Sequence, residues 1–220
     1  MRRLFVALSA GAALFGAGPA GAAGAAVDWA GPYVGLQMGL NAGQSSRDFP
    51  QNPARNTGDF DANGVIGGAT AGYNLMWQSV LLGVEGDFSG SSASGSRNCS
   101  PAQTTNCQTT NPWLATVRLR LGYPIGSVLP YATGGLAVGQ IGVRSTVSTG
   151  GTGVDLSTNE TGWAAGAGIE WAFDSAWSVK AEYLRVQLDD AHTVGASGLP
   201  NATSFNANIV RVGVNYRFRL

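Results

Sequence analysis

The stretch Val210-Arg211-Val212-Gly213-Val214-Asn215-Tyr216-Arg217-Phe218-Arg219-Leu220 decides the fold. Every even position is apolar, and every odd one is Arg, Gly or Asn. Successive side chains of a β-strand point to opposite faces, so this segment is a strand with one greasy face and one polar face.

The same period of two recurs upstream. Trp113, Ala115, Val117, Leu119, Leu121 and Tyr123 share a face against Thr116, Arg118, Arg120 and Gly122. Val80, Leu82, Val84 and Phe88 oppose Gly83, Glu85 and Asp87. Val65, Ala69, Ala71, Tyr73, Leu75 and Trp77 oppose Gly68, Thr70, Gly72 and Asn74. Trp163, Ala165, Ala167, Ile169, Trp171 and Phe173 oppose Gly162, Ala164, Gly166, Gly168 and Glu170. Trp177, Val179, Ala181 and Tyr183 oppose Ser178, Lys180 and Glu182. Two further strands are less regular. Tyr33 to Leu40 alternates with Val34, Leu36, Met38 and Leu40 outward. Leu129 to Arg144 is long, rich in Gly and open in its facing, with room for a bulge that changes its register partway. The total is eight strands.

The connections alternate short and long. Short ones lie near Gln78, at Pro124-Ile125-Gly126-Ser127 and near Asp174-Ser175. Long ones run over about 42–63, 90–111, 145–160 and 189–205, rich in Ser, Thr, Asn, Gly and Pro as solvated loops are. Short turns at one rim and long loops at the other are the layout of an outer-membrane barrel. The expected fold is therefore all-β, an eight-stranded antiparallel up-and-down transmembrane barrel. An even strand number puts both termini on the periplasmic rim and the long loops outside.

Alternation alone would also suit a secreted barrel with water outside. The non-apolar face argues for lipid outside. It is dominated by Gly, Ala, Ser and Thr with a few charges of both signs, where a water-facing surface would be dense in Lys and Glu. Aromatic residues also gather at strand ends: Tyr73, Trp77, Trp113, Tyr123, Tyr131, Trp163, Trp171, Phe173, Trp177, Tyr216 and Phe218. Tyr and Trp favour the headgroup boundary, where one end of the ring is dry and the other wet. The strand that closes the chain ends on an apolar position rather than a polar tail.

Composition agrees. Charged residues make up 12% of the chain, about half the usual share. The 33 glycines speak against a mainly helical protein. With 13 basic and 13 acidic residues there is no basic excess for nucleic acid. Arg2 and Arg3 precede an apolar run, Leu4 to Phe15, that is too short for a membrane span. Ala20-Gly21-Ala22 and Ala23-Gly24-Ala25 are alternative cleavage sites. Residues 1–22 are expected to form a cleaved signal peptide, with the cut between 22 and 26, and residues 27–220 the barrel. Export makes a disulfide between Cys99 and Cys107 plausible, worth about 2.5 kcal/mol on the chain-entropy argument. Two thiols alone make no zinc site, and no cofactor site is read.

Several segments carry a family likeness. They are Trp29-Ala-Gly-Pro-Tyr-Val-Gly35, Gly64-Val-Ile-Gly-Gly-Ala-Thr-Ala-Gly-Tyr-Asn74, Leu82-Gly-Val-Glu-Gly-Asp-Phe88, Arg120-Leu-Gly-Tyr123, Leu129-Pro-Tyr-Ala-Thr-Gly-Gly135, Val179-Lys-Ala-Glu-Tyr183 and Val212-Gly-Val-Asn-Tyr-Arg-Phe218. In this order and spacing the chain resembles the porin-like outer-membrane surface proteins of alphaproteobacteria, which are OmpA-like eight-stranded barrels. The likeness spans about Trp29 to Phe218. It implies outer-membrane lipid as surroundings, and recognition of the C-terminal strand by the outer-membrane assembly machinery. Members of that family usually end on Phe. Here Arg219 and Leu220 follow, and Leu220 keeps the outward parity. The label "porin" implies no transport by itself.

The inward charges form the candidate site. Glu85, Asp87, Glu170 and Glu182 are acidic, and Arg118, Arg120, Lys180 and Arg211 are basic. Four against four predicts a balanced network filling a lumen just wide enough for its own side chains. A narrow gated ion path is the functional alternative. Catalysis has little to stand on. His192, in the last long loop or at its base, has Ser197 and Ser204 nearby in sequence. A nucleophile also needs a base in reach and a third group to orient it. Haem binding, which the resemblance also raises, has only His192 to rest on. Glu85 and Asp87 share a face, yet Arg118 and Arg120 are their simpler partners. The Gly64–Gly72 run lacks the ending of a phosphate loop. Asn201-Ala202-Thr203 matches a sequon too short to assign. The expected function is a non-enzymatic structural and surface-interaction role through four extracellular loops. The alternatives are a low-conductance pore and, more remotely, a lipid A-modifying enzyme.

Overall fold

The computed structural model describes residues 27–48, 60–98, 105–147, 154–194 and 200–219. Eight strands run antiparallel in chain order: β1 (Gly31–Asp48), β2 (Phe60–Trp77), β3 (Val80–Asn98), β4 (Thr105–Gly122), β5 (Val128–Val147), β6 (Val154–Ala172), β7 (Trp177–Val194) and β8 (Pro200–Arg217). Each pairs with its neighbour, and β1 pairs with β8 from Tyr33↔Arg217 to Asp48↔Ala202, which closes the barrel. Closure removes the unpaired edge that a sheet in hydrocarbon could not tolerate.

The apolar parity faces outward on every strand. Leu36, Leu119 and Leu136 are each more than 70% exposed, while Arg118, Lys180 and Arg211 on the opposite face are at most 2% exposed. This inversion of a water-soluble surface suits only an apolar surrounding. Tyr73, Trp77, Tyr123, Trp171, Trp177 and Phe218 are exposed at the short-turn end, with Tyr216 half-buried among them. Tyr216 packs edge-on to both Trp177 and Phe218, ring centroids 5.0 Å apart in each pair. Trp163 and the stacked pair Phe88–Trp113, 5.9 Å apart, mark a second level. Trp113 and Tyr123 bound the greasy, alternating part of β4 ten residues apart, about 33 Å along the strand and about 25 Å across a bilayer at the usual tilt.

The strands outrun the alternating segments. They extend into the stretches expected to be loops at 42–63, 90–111, 145–160 and 189–205. A hairpin needs no greasy face above the membrane, because each strand already has a partner for its backbone groups. The polar, Thr- and Ser-rich composition therefore ends the lipid contact without ending the ladder. His192 accordingly stands on β7 opposite Ala202. β5 resolves the other open point. It pairs with β6 in one register from Val128↔Trp171 to Ser145↔Val154, with Leu129, Tyr131, Thr133, Ala137 and Ile141 inward. The register shifts fall at Gly90/Ala93, Thr110/Leu114 and Leu188/Ala191. Tyr131, expected among the boundary aromatics, is thus a lumen residue.

The short turns are tight. Gln78 takes a positive φ of 56° between β2 and β3. Gly126, at φ 61°, turns the chain between Ile125 and Val128, whose backbone groups exchange hydrogen bonds.

Candidate functional site

The eight charges expected in the lumen all lie there. Arg118 is the hub. Its guanidinium donates to Glu85 at 2.6 Å, Asp87 at 2.9 Å and Glu182 at 2.7 Å. Arg211 donates to Glu182 at 2.7 Å and Asp87 at 3.1 Å, and Lys180 to Glu85 at 3.0 Å. Arg120 pairs with Glu170 at 2.5 Å. Thr116 donates its hydroxyl to Asp87 at 2.5 Å, and Ser178 and Asn215 donate to Glu170 at 2.5 and 3.1 Å. Buried carboxylates need such multiple donors, since desolvation costs several kcal/mol per ion.

Two tyrosines complete the network. Tyr33 donates to Glu85 at 2.7 Å and Tyr131 to Glu182 at 2.8 Å. Each ring lies over a glycine on the next strand. Tyr33 is register partner to Gly72, and Tyr131 to Gly168. A Cβ on either glycine would run into the tyrosine ring. The pattern continues around the barrel, with Gly72↔Glu85↔Arg118 in one half and Gly168↔Glu182↔Arg211 in the other. The lumen is therefore built from two matching sets, Tyr–Gly–Glu–Arg on β1–β4 and again on β5–β8. Arg118 joins them by reaching Glu182 of the second set.

Apolar layers flank the ions. Towards the long loops lie Ile66, Leu114, Ala137, Ile141, Leu184, Val186, Leu188 and Ile209, all buried. Towards the short turns lie Trp29, Leu81, Leu129 and Ala172, with Val27 packed against them. Arg217 stacks on the Trp29 ring, 4.2 Å from its centroid, and donates to the Asp28 carbonyl at 3.3 Å. Arg120 stacks on Tyr131 at 3.7 Å. Sequence reading missed Tyr33, Tyr131, Trp29 and Arg217. A signal for the tyrosines existed in the near-equal separations of Tyr33 from Glu85 and of Tyr131 from Glu182, 52 and 51 residues. Trp29 precedes the first strand, where alternation gives no facing.

Cys107 stands on β4 opposite Arg97 and Ser145, whereas Cys99 lies outside the described residues, as do the signal segment, Ser197 and Leu220. Ser204 stands on β8 opposite Ser46. Among the described residues no group of His, Cys, Asp and Glu is arranged to hold a metal ion.

Known proteins resemble this chain in sequence and in fold. The 31 kDa outer-membrane immunogenic protein of Brucella melitensis is 36% identical over 205 residues, covering 86% of this chain and 84% of that protein. The 22 kDa outer membrane protein of Rhizobium leguminosarum is 27% identical over 169 residues, 74% and 72% of the two chains. The crystal structure of OprG from Pseudomonas aeruginosa shares the fold with a TM-score of 0.54 at 13% identity, covering 87% of this chain and 97% of its own. The family model described as outer membrane protein beta-barrel domain matches residues 10–218, and the chain belongs to that family of outer-membrane proteins.

Proposed function

We propose that this barrel is an anchor that displays its long connections at the cell surface, without a conducting path or a catalytic centre. The observation that carries this reading is the filling of the lumen: a cross-linked ion network between two apolar layers. Eight-stranded barrels have room for their side chains and little more. Ions would meet dehydrating layers on both sides of the charges, which opposes conduction. In this reading the four long connections are extracellular and the termini periplasmic. The immunogenic relatives support exposure at the surface. The closing strand engages the assembly machinery through its outward row Val210, Val212, Val214, Tyr216 and Phe218. Cys99 and Cys107 close a disulfide in the second long connection, and any ligand binds on these surface segments, where variation is tolerated.

Planar-bilayer recording of the purified, folded chain tests the reading. The expected trace is flat, for wild type and for Arg118→Ala alike. Steady single-channel openings in the wild type that disappear on substitution of Glu85 or Glu182 would overturn the anchor in favour of a pore. Lipid A mass spectra are expected to be the same with and without the gene.

A further inference from the structure

Between the short turns and the level of Trp163, the outward positions of the described strands carry one charged side chain, Arg185 of β7. It is exposed and makes no hydrogen bond or ion pair with another described residue. An ionisable group facing lipid is costly at mid-depth, so its depth matters. Arg185 lies eight residues beyond Trp177, about 26 Å along the strand and about 20 Å across the bilayer. That is near the far edge of an apolar band about 25 Å tall. The guanidinium reaches headgroups there, on the long-loop side.

Its neighbours offer donors and space. Asn208 is its register partner on β8 and accepts the Tyr183 hydroxyl at 2.7 Å, which leaves the Asn208 amide NH2 as a donor. Trp163 lies one outward position beyond Ala165, the partner of Arg185 on β6, and is 41% exposed. No outward position of β6, β7 or β8 between these residues and the short turns carries an acid. Tyr183 stands directly below Arg185 on β7, and beside it the outward surface of β6 and β5 is shallow, formed by Ala165 and Ala167 with Ala132 and Gly134. Small residues there leave a trough where a hydrocarbon chain lies against the wall.

We infer that Arg185, Asn208 and Trp163 form a headgroup site for a phosphate-bearing membrane lipid of the leaflet on the long-loop side, with an acyl chain in the trough beneath. Guanidinium pairs with phosphate through parallel N–H···O bonds and keeps its charge at any working pH. This goes beyond the anchoring role and requires only the closed barrel in lipid.

The test uses the full mature chain in nanodiscs of a zwitterionic phospholipid with a small fraction of phosphatidic acid, or of diacylglycerol with the same chains. Lipid retained on release is read by native mass spectrometry. Wild type should retain phosphatidic acid over diacylglycerol. Arg185→Gln should lower that retention about fivefold, roughly what one basic side chain contributes at a charged bilayer surface. Arg185→Lys should recover part of it, and Arg219→Gln, an exposed arginine at the other rim, should leave it unchanged. Equal retention of the two lipids by wild type, or full retention by Arg185→Gln, overturns the site. A heat-dependent gel shift shows that each variant is folded. Conductance, which tests the anchor, is independent of this result.

Discussion

Arg118 shows what one side chain does in this lumen. It neutralises three carboxylates from three directions, on β3 and β7, and its side chain has no exposed surface. Removing it leaves Glu85, Asp87 and Glu182 close together with Lys180 and Arg211 as their remaining ion-pair partners. A buried charge that loses its partner costs about 3–5 kcal/mol. Arg118→Ala should therefore lower the unfolding free energy by about that amount, measured by urea titration of the barrel in lipid vesicles. A loss below about 1 kcal/mol would mean that water shares the network. The eight charges were legible in the sequence because alternation assigns parity, and parity assigns a face. Their connections were not, because the contact between Arg118 and Glu182 spans the lumen and no strand pattern encodes it.

Among the elements, β5 is the one whose residues left its facing open. It is rich in Gly, and small side chains blur the contrast between its faces. Its register with β4 and β6 settles the matter, and the burial of Tyr131 shows the result. The consequence is checkable by cysteine substitution in a Cys99→Ser, Cys107→Ser background. A lipid-soluble thiol reagent should label Ala132→Cys and Leu136→Cys and leave Thr133→Cys and Ala137→Cys unmodified. Labelling of 133 and 137 in place of 132 and 136 would reverse the strand. The ends of the elements were the other misjudged feature. Ser, Thr and Asn read as loop because they interrupt the greasy alternation. In a hairpin the same residues continue the ladder, since antiparallel partners satisfy the backbone whatever the side chain.

For the molecule as a whole, stability comes from the closure of the ladder between β1 and β8. Every strand of the spanning region then has a hydrogen-bonded neighbour on both sides, and opening the barrel in lipid would expose many backbone groups at once, each costing several kcal/mol. The chain should therefore keep its compact form in cold detergent and migrate faster on a gel unheated than boiled. Identical migration would contradict a closed barrel.

What the sequence determined alone was the alternation: eight strands, the outward parity of every one but β5, the sparse inward charges and the aromatic levels. All of these are local consequences of a two-residue period. The tertiary structure decided the register. Tyr33 met Gly72 and Tyr131 met Gly168, two matching half-barrels met through Arg118, and apolar layers closed over the ions. These contacts join residues that are distant along the chain, and only the stagger of paired strands around a closed wall brings them to one level.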